Sequence, residues 1–78
     1  MFGLNKKELE YLKQSNEELK IAIESKNYIE VQDAMYIYLI SEDCMDDDYI
    51  YTEKGVYVQT LYDKIIEWYD ETHPEEVI

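Results

Sequence analysis

At 78 residues the chain has room for one domain and one modest core, since a chain this short buries only about 60% of the surface its unfolded form exposes. With 46% hydrophobic residues and nine tyrosines it is too apolar for a disordered acidic tail, so it is expected to fold. A formal net charge of −12, carried without any arginine, repels nucleic acid and anionic membranes and argues against direct binding to either.

That charge is unevenly placed. Residues 1–26 hold five lysines and five acids, which cancel, whereas residues 27–78 hold only Lys54 and Lys64 against fourteen acids. The expected organisation is a single domain over 1–78, with a charge-neutral scaffold helix in 1–26, an acidic helical part in 27–73 and a flexible tail in 74–78. Cys44 is the one cysteine, so no internal disulfide can form. The apolar start Met1-Phe2-Gly3-Leu4 is interrupted by Asn5-Lys6-Lys7-Glu8 too early for a secretory signal, and no stretch reads as a membrane span. A cytoplasmic location in a bacterial cell is the resulting expectation. The abundance of Lys, Ile, Asn, Tyr and Glu without Arg is what an AT-rich genome encodes, which suits a low-GC bacterium or its phage.

The first predicted element runs over about 6–25. Asn5 and Glu8 have the spacing of a capping box, and Leu9, Leu12, Leu19 and Ile23 follow at helical intervals, with Asn16 in the one polar slot of the stripe. Lys and Glu alternate on its other faces, and Glu10 with Lys13, Lys13 with Glu17, and Lys20 with Glu24 are spaced to pair. Asn27-Tyr28-Ile29-Glu30 repeats the capping signature and opens a second helix. Tyr28, Val31, Met35 and Tyr38 line one face, and Ala34, Ile37, Leu39 and Ile40 widen it until 34–40 is apolar all round. A helix of that kind is buried between neighbours or lies in an interface.

Residues 41–51 read as an acidic connection. Thr52 can cap a third helix with Val58, Leu61, Ile65 and Trp68 inward, Tyr62, Ile66 and Tyr69 beside them, and Asp63, Glu67 and Asp70 opposite. His73-Pro74 ends it, because the residue before proline is pushed out of helical geometry. The fold expected is therefore all-α, a small three-helix bundle. A rival reading is α+β, with a β-hairpin at about 49–58 and Gly55 at the bulge.

Catalysis is not expected: there is one His, one Cys and no glycine-rich loop, and no serine stands in a nucleophile elbow. No metal or other cofactor is expected either. Asp43, Asp46, Asp47 and Asp48 crowd together, but starting an EF-hand loop at Asp46 puts Ile50 and Tyr51 at positions that need a ligand and a glycine, and starting at Asp43 puts Met45 on a ligand position. His73 and Glu76 have only a weak ligand spacing. Cys44 sits among acids, which raise a thiol's pKa and make it a spectator.

The acidic surface is the strong signal. In part it solvates the chain, and acids near the start of the third helix favour its dipole. Glu42, Asp43, Asp70 and Glu71 fall at helix C-termini, where the dipole disfavours them. Acids kept against stability point to a partner. The candidate partner-binding residues are Glu42, Asp43, Asp46, Asp47, Asp48, Tyr49, Tyr51, Glu53, Asp63, Glu67, Asp70 and Glu71, the two tyrosines because tyrosine is enriched in interface cores. Asp63, Glu67 and Asp70 would form a ladder of negative charge suited to a Lys/Arg groove shaped for phosphates. The leading expectation is a phage or mobile-element inhibitor that covers the basic nucleic-acid-binding surface of a host protein, such as a defence nuclease, as a DNA mimic. In composition the chain is similar to phage-encoded inhibitors of that kind. An antitoxin or immunity protein for a basic toxin, and a small structural module forming a homodimer through the second segment, are the alternatives.

Overall fold

Four short polar side chains decide where the helices begin. Asn5, Asn16, Asn27 and Thr52 each have extended backbone and accept a hydrogen bond from a free backbone N–H of the first turn that follows. In the computed structural model, which describes residues 1–73, they open α1 (Lys6–Ser15), α2 (Glu17–Ser25), α3 (Tyr28–Leu39) and α4 (Glu53–Thr72). The chain is mostly helical, and the expected all-α class holds. The expected tail lies outside the described residues.

Two expectations need correction. The single helix over 6–25 is two helices, because Asn16 is extended (φ −156°, ψ 133°) and its side chain takes the Leu19 N–H at 3.1 Å. Asn16 is thus a cap between helices and not a polar slot within one, so among the described residues four helices stand where three were expected. The pairing of Lys13 with Glu17 would have to cross that break. Among the described residues, neither it nor Glu10 with Lys13 nor Lys20 with Glu24 closes to ion-pair distance. The hairpin at 49–58 is absent, since 53–58 forms the start of α4. A short antiparallel contact exists earlier, between Met45 and Tyr51.

Each helix packs on the next in sequence, α1 on α2, α2 on α3 and α3 on α4. Leu12, Leu19, Ile23, Val31, Met35, Val58, Leu61 and Ile65 are all below 2% exposed, so the inward stripes read from sequence form the core. Burying each such side chain contributes about 1.5–3 kcal/mol before the entropy of ordering it is subtracted. Leu9 and Trp68 are only partly buried at its margin. No helix among the described residues is long and apolar enough to cross a membrane.

The first and last helices are joined by a cluster that no periodicity announces. Met1–Leu4 forms a turn that buries Phe2 and Leu4, and Phe2 meets the Trp68 ring edge-on at 5.7 Å between centroids. Gly3 lies in the left-handed region (φ 78°), and a Cβ there would stand 2.6 Å from Trp68 Cβ, so neither the backbone nor the space admits a side chain. Glu8 completes the join. Its Oε1 accepts the Asn5 N–H at 3.0 Å, closing the capping box, while its Oε2 accepts from Lys64 Nζ at 2.6 Å. The Lys64 ammonium, helped by the Asn5 N–H, holds the Glu8 carboxyl below its ordinary value of 4.5.

Candidate partner-binding surface

The acidic connection is a pinned loop. After α3, Ser41 returns both its N–H and its hydroxyl to the Tyr38 carbonyl, and the Cys44 and Met45 N–H groups both return to the Ser41 carbonyl. Cys44 then turns fully inward under the loop. Thr52 fastens the other end, with its N–H on the Cys44 carbonyl at 2.9 Å and its hydroxyl on the Asp43 carbonyl at 3.0 Å. Gly55, one turn into α4, presses against the Cys44 carbonyl so closely that a Cβ would collide with it. The Cys44 thiol is held toward its protonated form, for a different leading reason from the one expected. Burial raises its pKa most, with Lys54 opposing and Asp43 adding a further rise.

The tip of the loop is an aspartate turn. Asp46 Oδ1 accepts the Asp48 N–H at 2.9 Å and the Ile50 N–H at 3.0 Å, and the Asp46 and Ile50 backbones close the hairpin-like end. Asp46 is therefore occupied locally, whereas Asp47 and Asp48 are exposed. Tyr49 follows in left-handed conformation (φ 61°) with 84% of its surface exposed. A bulky residue in that region costs of order 1 kcal/mol relative to ordinary backbone, and among the described residues Tyr49 makes no ring contact that would offset it.

Gln59 connects this loop to the outer face of α4. The Tyr51 hydroxyl donates to Gln59 Oε1 at 3.1 Å, and Gln59 Nε2 donates to Asp63 Oδ1 at 2.9 Å. From Asp63 the exposed acids Glu67, Asp70 and Glu71 continue along α4, the first three spanning on the order of 10 Å of helix axis. Glu42 and Asp43 are exposed just past α3, and Glu53 begins α4. Asp43 accepts from the Tyr38 hydroxyl at 3.2 Å. Neither α3 nor α4 has a basic residue in its last turn.

Both lysines of this acidic part are engaged by groups other than its surface acids, Lys64 while its side chain stays 47% exposed and Lys54 while half-buried. Lys64 is held by Glu8, and Lys54 Nζ lies over the Tyr38 and Tyr11 rings, 5.6 and 5.9 Å from their centroids. Among the described residues no cation pairs within ion-pair distance with Glu42, Asp47, Asp48, Glu53, Glu67, Asp70 or Glu71. Nor do three or more His, Cys, Asp or Glu side chains converge on a point that could hold a metal ion, among the same residues. Glu76, the other half of the weak ligand spacing with His73, lies outside them. His73 itself stacks on Tyr69 at 4.2 Å between ring centroids.

Sequence reasoning did not find Gln59 or the partners of the two lysines. Both depend on which helix faces are apposed, which residue types do not announce. Comparison with protein-family models, with curated proteins and with solved structures returns no match.

Proposed function

We propose that this protein is an acidic binding protein that presents its 41–52 loop, the start of α4 at Glu53 and the outer face of α4 to the basic surface of another protein, one shaped to hold nucleic acid. In this reading it is a phage or mobile-element inhibitor of DNA-mimic type, with a host defence nuclease as the leading kind of target. The observation that carries it is the engagement of Lys54 by two tyrosine rings and of Lys64 by Glu8, which leaves Glu42, Asp47, Asp48, Glu53, Glu67, Asp70 and Glu71 without an ion-pair partner among the described residues. Uncompensated carboxylates repel one another and lower stability unless an external cationic surface accepts them. The exposed Tyr49 beside them supplies the aromatic contact that a purely solvating acidic face has no use for.

The test is affinity capture from a low-GC bacterial lysate at two salt concentrations, with duplex DNA as competitor. DNA-binding proteins should dominate the captured set, be lost as salt rises, and be displaced by DNA. Retention at high salt, or indifference to DNA, would remove the basis for this reading.

A further inference from the structure

One face of α3 is buried and another is apolar without a cover. Val31, Met35, Tyr38 and Leu39 face the core, whereas Ile29, Tyr36, Ile37 and Ile40 are each 56–66% exposed. Beside them lies a groove of about 360 Å³ between α2 and α3, walled by Ile21 and Ile37 over Ala22 and Ala34, whose short side chains leave the hollow. Its remaining lining is acidic: Glu18, Glu30 and Asp33, with no lysine. Among the described residues none of these three carboxylates has a cation within ion-pair distance.

We propose that this groove takes a basic amphipathic helix of another protein, with apolar side chains seated between Ile21 and Ile37 and Lys or Arg at its flanks meeting Glu18, Glu30 and Asp33. The chemistry of the lining selects the occupant. An apolar floor needs an apolar stripe to displace its water, and an acidic rim needs cations on either side of that stripe. A hollow between two helices offers no unpaired backbone to an extended strand, so the ligand is a helix. A second copy of this chain is a poor fit, because it would bring the same three acids to the seam and add another net charge of −12. The proposal goes beyond the acidic-surface reading: it concerns α2 and α3 rather than the loop and α4, and it requires an apolar stripe that a phosphate-shaped surface lacks.

The test uses the whole protein, isotope-labelled, titrated with a synthetic peptide of about 18 residues that has leucines on one helical face and lysines on the other. A control peptide has the same composition with its leucines scattered around the helix. The amphipathic peptide should shift the amides of Ile21, Ala22, Ala34 and Ile37, and the control should bind about tenfold more weakly or worse. The double variant Ile21→Gln/Ile37→Gln should lose about tenfold in affinity with little change in thermal midpoint, since both residues are already more than half exposed. Glu30→Gln/Asp33→Gln should flatten the salt dependence of binding, and Glu67→Gln/Asp70→Gln should leave the affinity within about twofold. Equal binding of the two peptides, shifts confined to α4 and the loop, or no binding would each overturn the proposal. So would a free protein that sediments as a dimer and is dissociated by Ile37→Gln, because a second copy would then occupy the groove.

Discussion

The turn at residues 1–4 and the loop at 41–52 both use left-handed backbone, on opposite terms. At Gly3 the conformation is adopted by the residue that suits it best, and the missing side chain lets the turn close against Trp68. At Tyr49 the same region of backbone space carries a large side chain held out into water. The first arrangement serves packing, and the left-handed Phe2 next to it (φ 54°) is offset by the burial of its ring against Trp68. The second retains strain at a residue whose side chain stays in water while its N–H closes the turn on the Asp46 carbonyl. The acids divide in the same way, for Glu8 is drawn into the join between α1 and α4 while Asp47 and Asp48 stay free.

The hardest blow to the packed side of this contrast is Gly55→Ala. Helix propensity alone would make alanine better by about 1 kcal/mol, but the collision with the Cys44 carbonyl should reverse the sign and destabilise by about 2–3 kcal/mol in urea unfolding. A neutral or stabilising result would mean that the loop is not seated on α4. Gly3→Ala should cost about 1–2 kcal/mol from its backbone conformation and its crowding against Trp68, and tryptophan fluorescence should report the displaced ring.

Glu8→Gln should have a smaller effect than either glycine variant, and one that depends on pH. The folded carboxyl is held below its ordinary value, so its contribution is present above about pH 4.5 and lost as pH falls through the lowered value. Lys64 is held above its ordinary value of 10.5, so its share is full below that pH and lost as pH rises through the raised value. Thermal midpoints of wild type and Glu8→Gln should thus differ most between those limits and converge in acid. Tyr49→Gly has the smallest expected effect and the opposite sign. Relief of the left-handed strain, less the added freedom of glycine in the unfolded chain, should stabilise by about 0.5 kcal/mol. If the variant is instead less stable, Tyr49 has a structural role and the contrast fails on its exposed side.

Much of the fold was legible because it rests on local chemistry. Asn5 with Glu8, Asn27 and Thr52 mark their helices by short-range bonds that residue type and spacing reveal, and the buried stripes of α3 and α4 follow the helical period. Asn16 was misread because it also satisfied the period of the stripe around it. Ser15-Asn16 followed by Glu17-Glu18, a cap and an acidic first turn, was the signal that could have placed the break. The join of Glu8 with Lys64 spans 56 residues and has no local signature. The acidic residues were legible as a set, but sequence could not tell that Asp46 is spent on its own turn, or that Gln59 would tie Tyr51 to Asp63.

The seating of Cys44 beneath the loop has a practical consequence. Its sulfur is shielded from solvent, and burial keeps it protonated, so a thiol reagent can react only while the loop is lifted. The rate of labelling therefore gauges how often residues 41–52 detach. A partner that grips Asp47, Asp48 and Tyr49 from outside would slow that rate without touching the sulfur, giving every candidate ligand a common clock inside the protein itself.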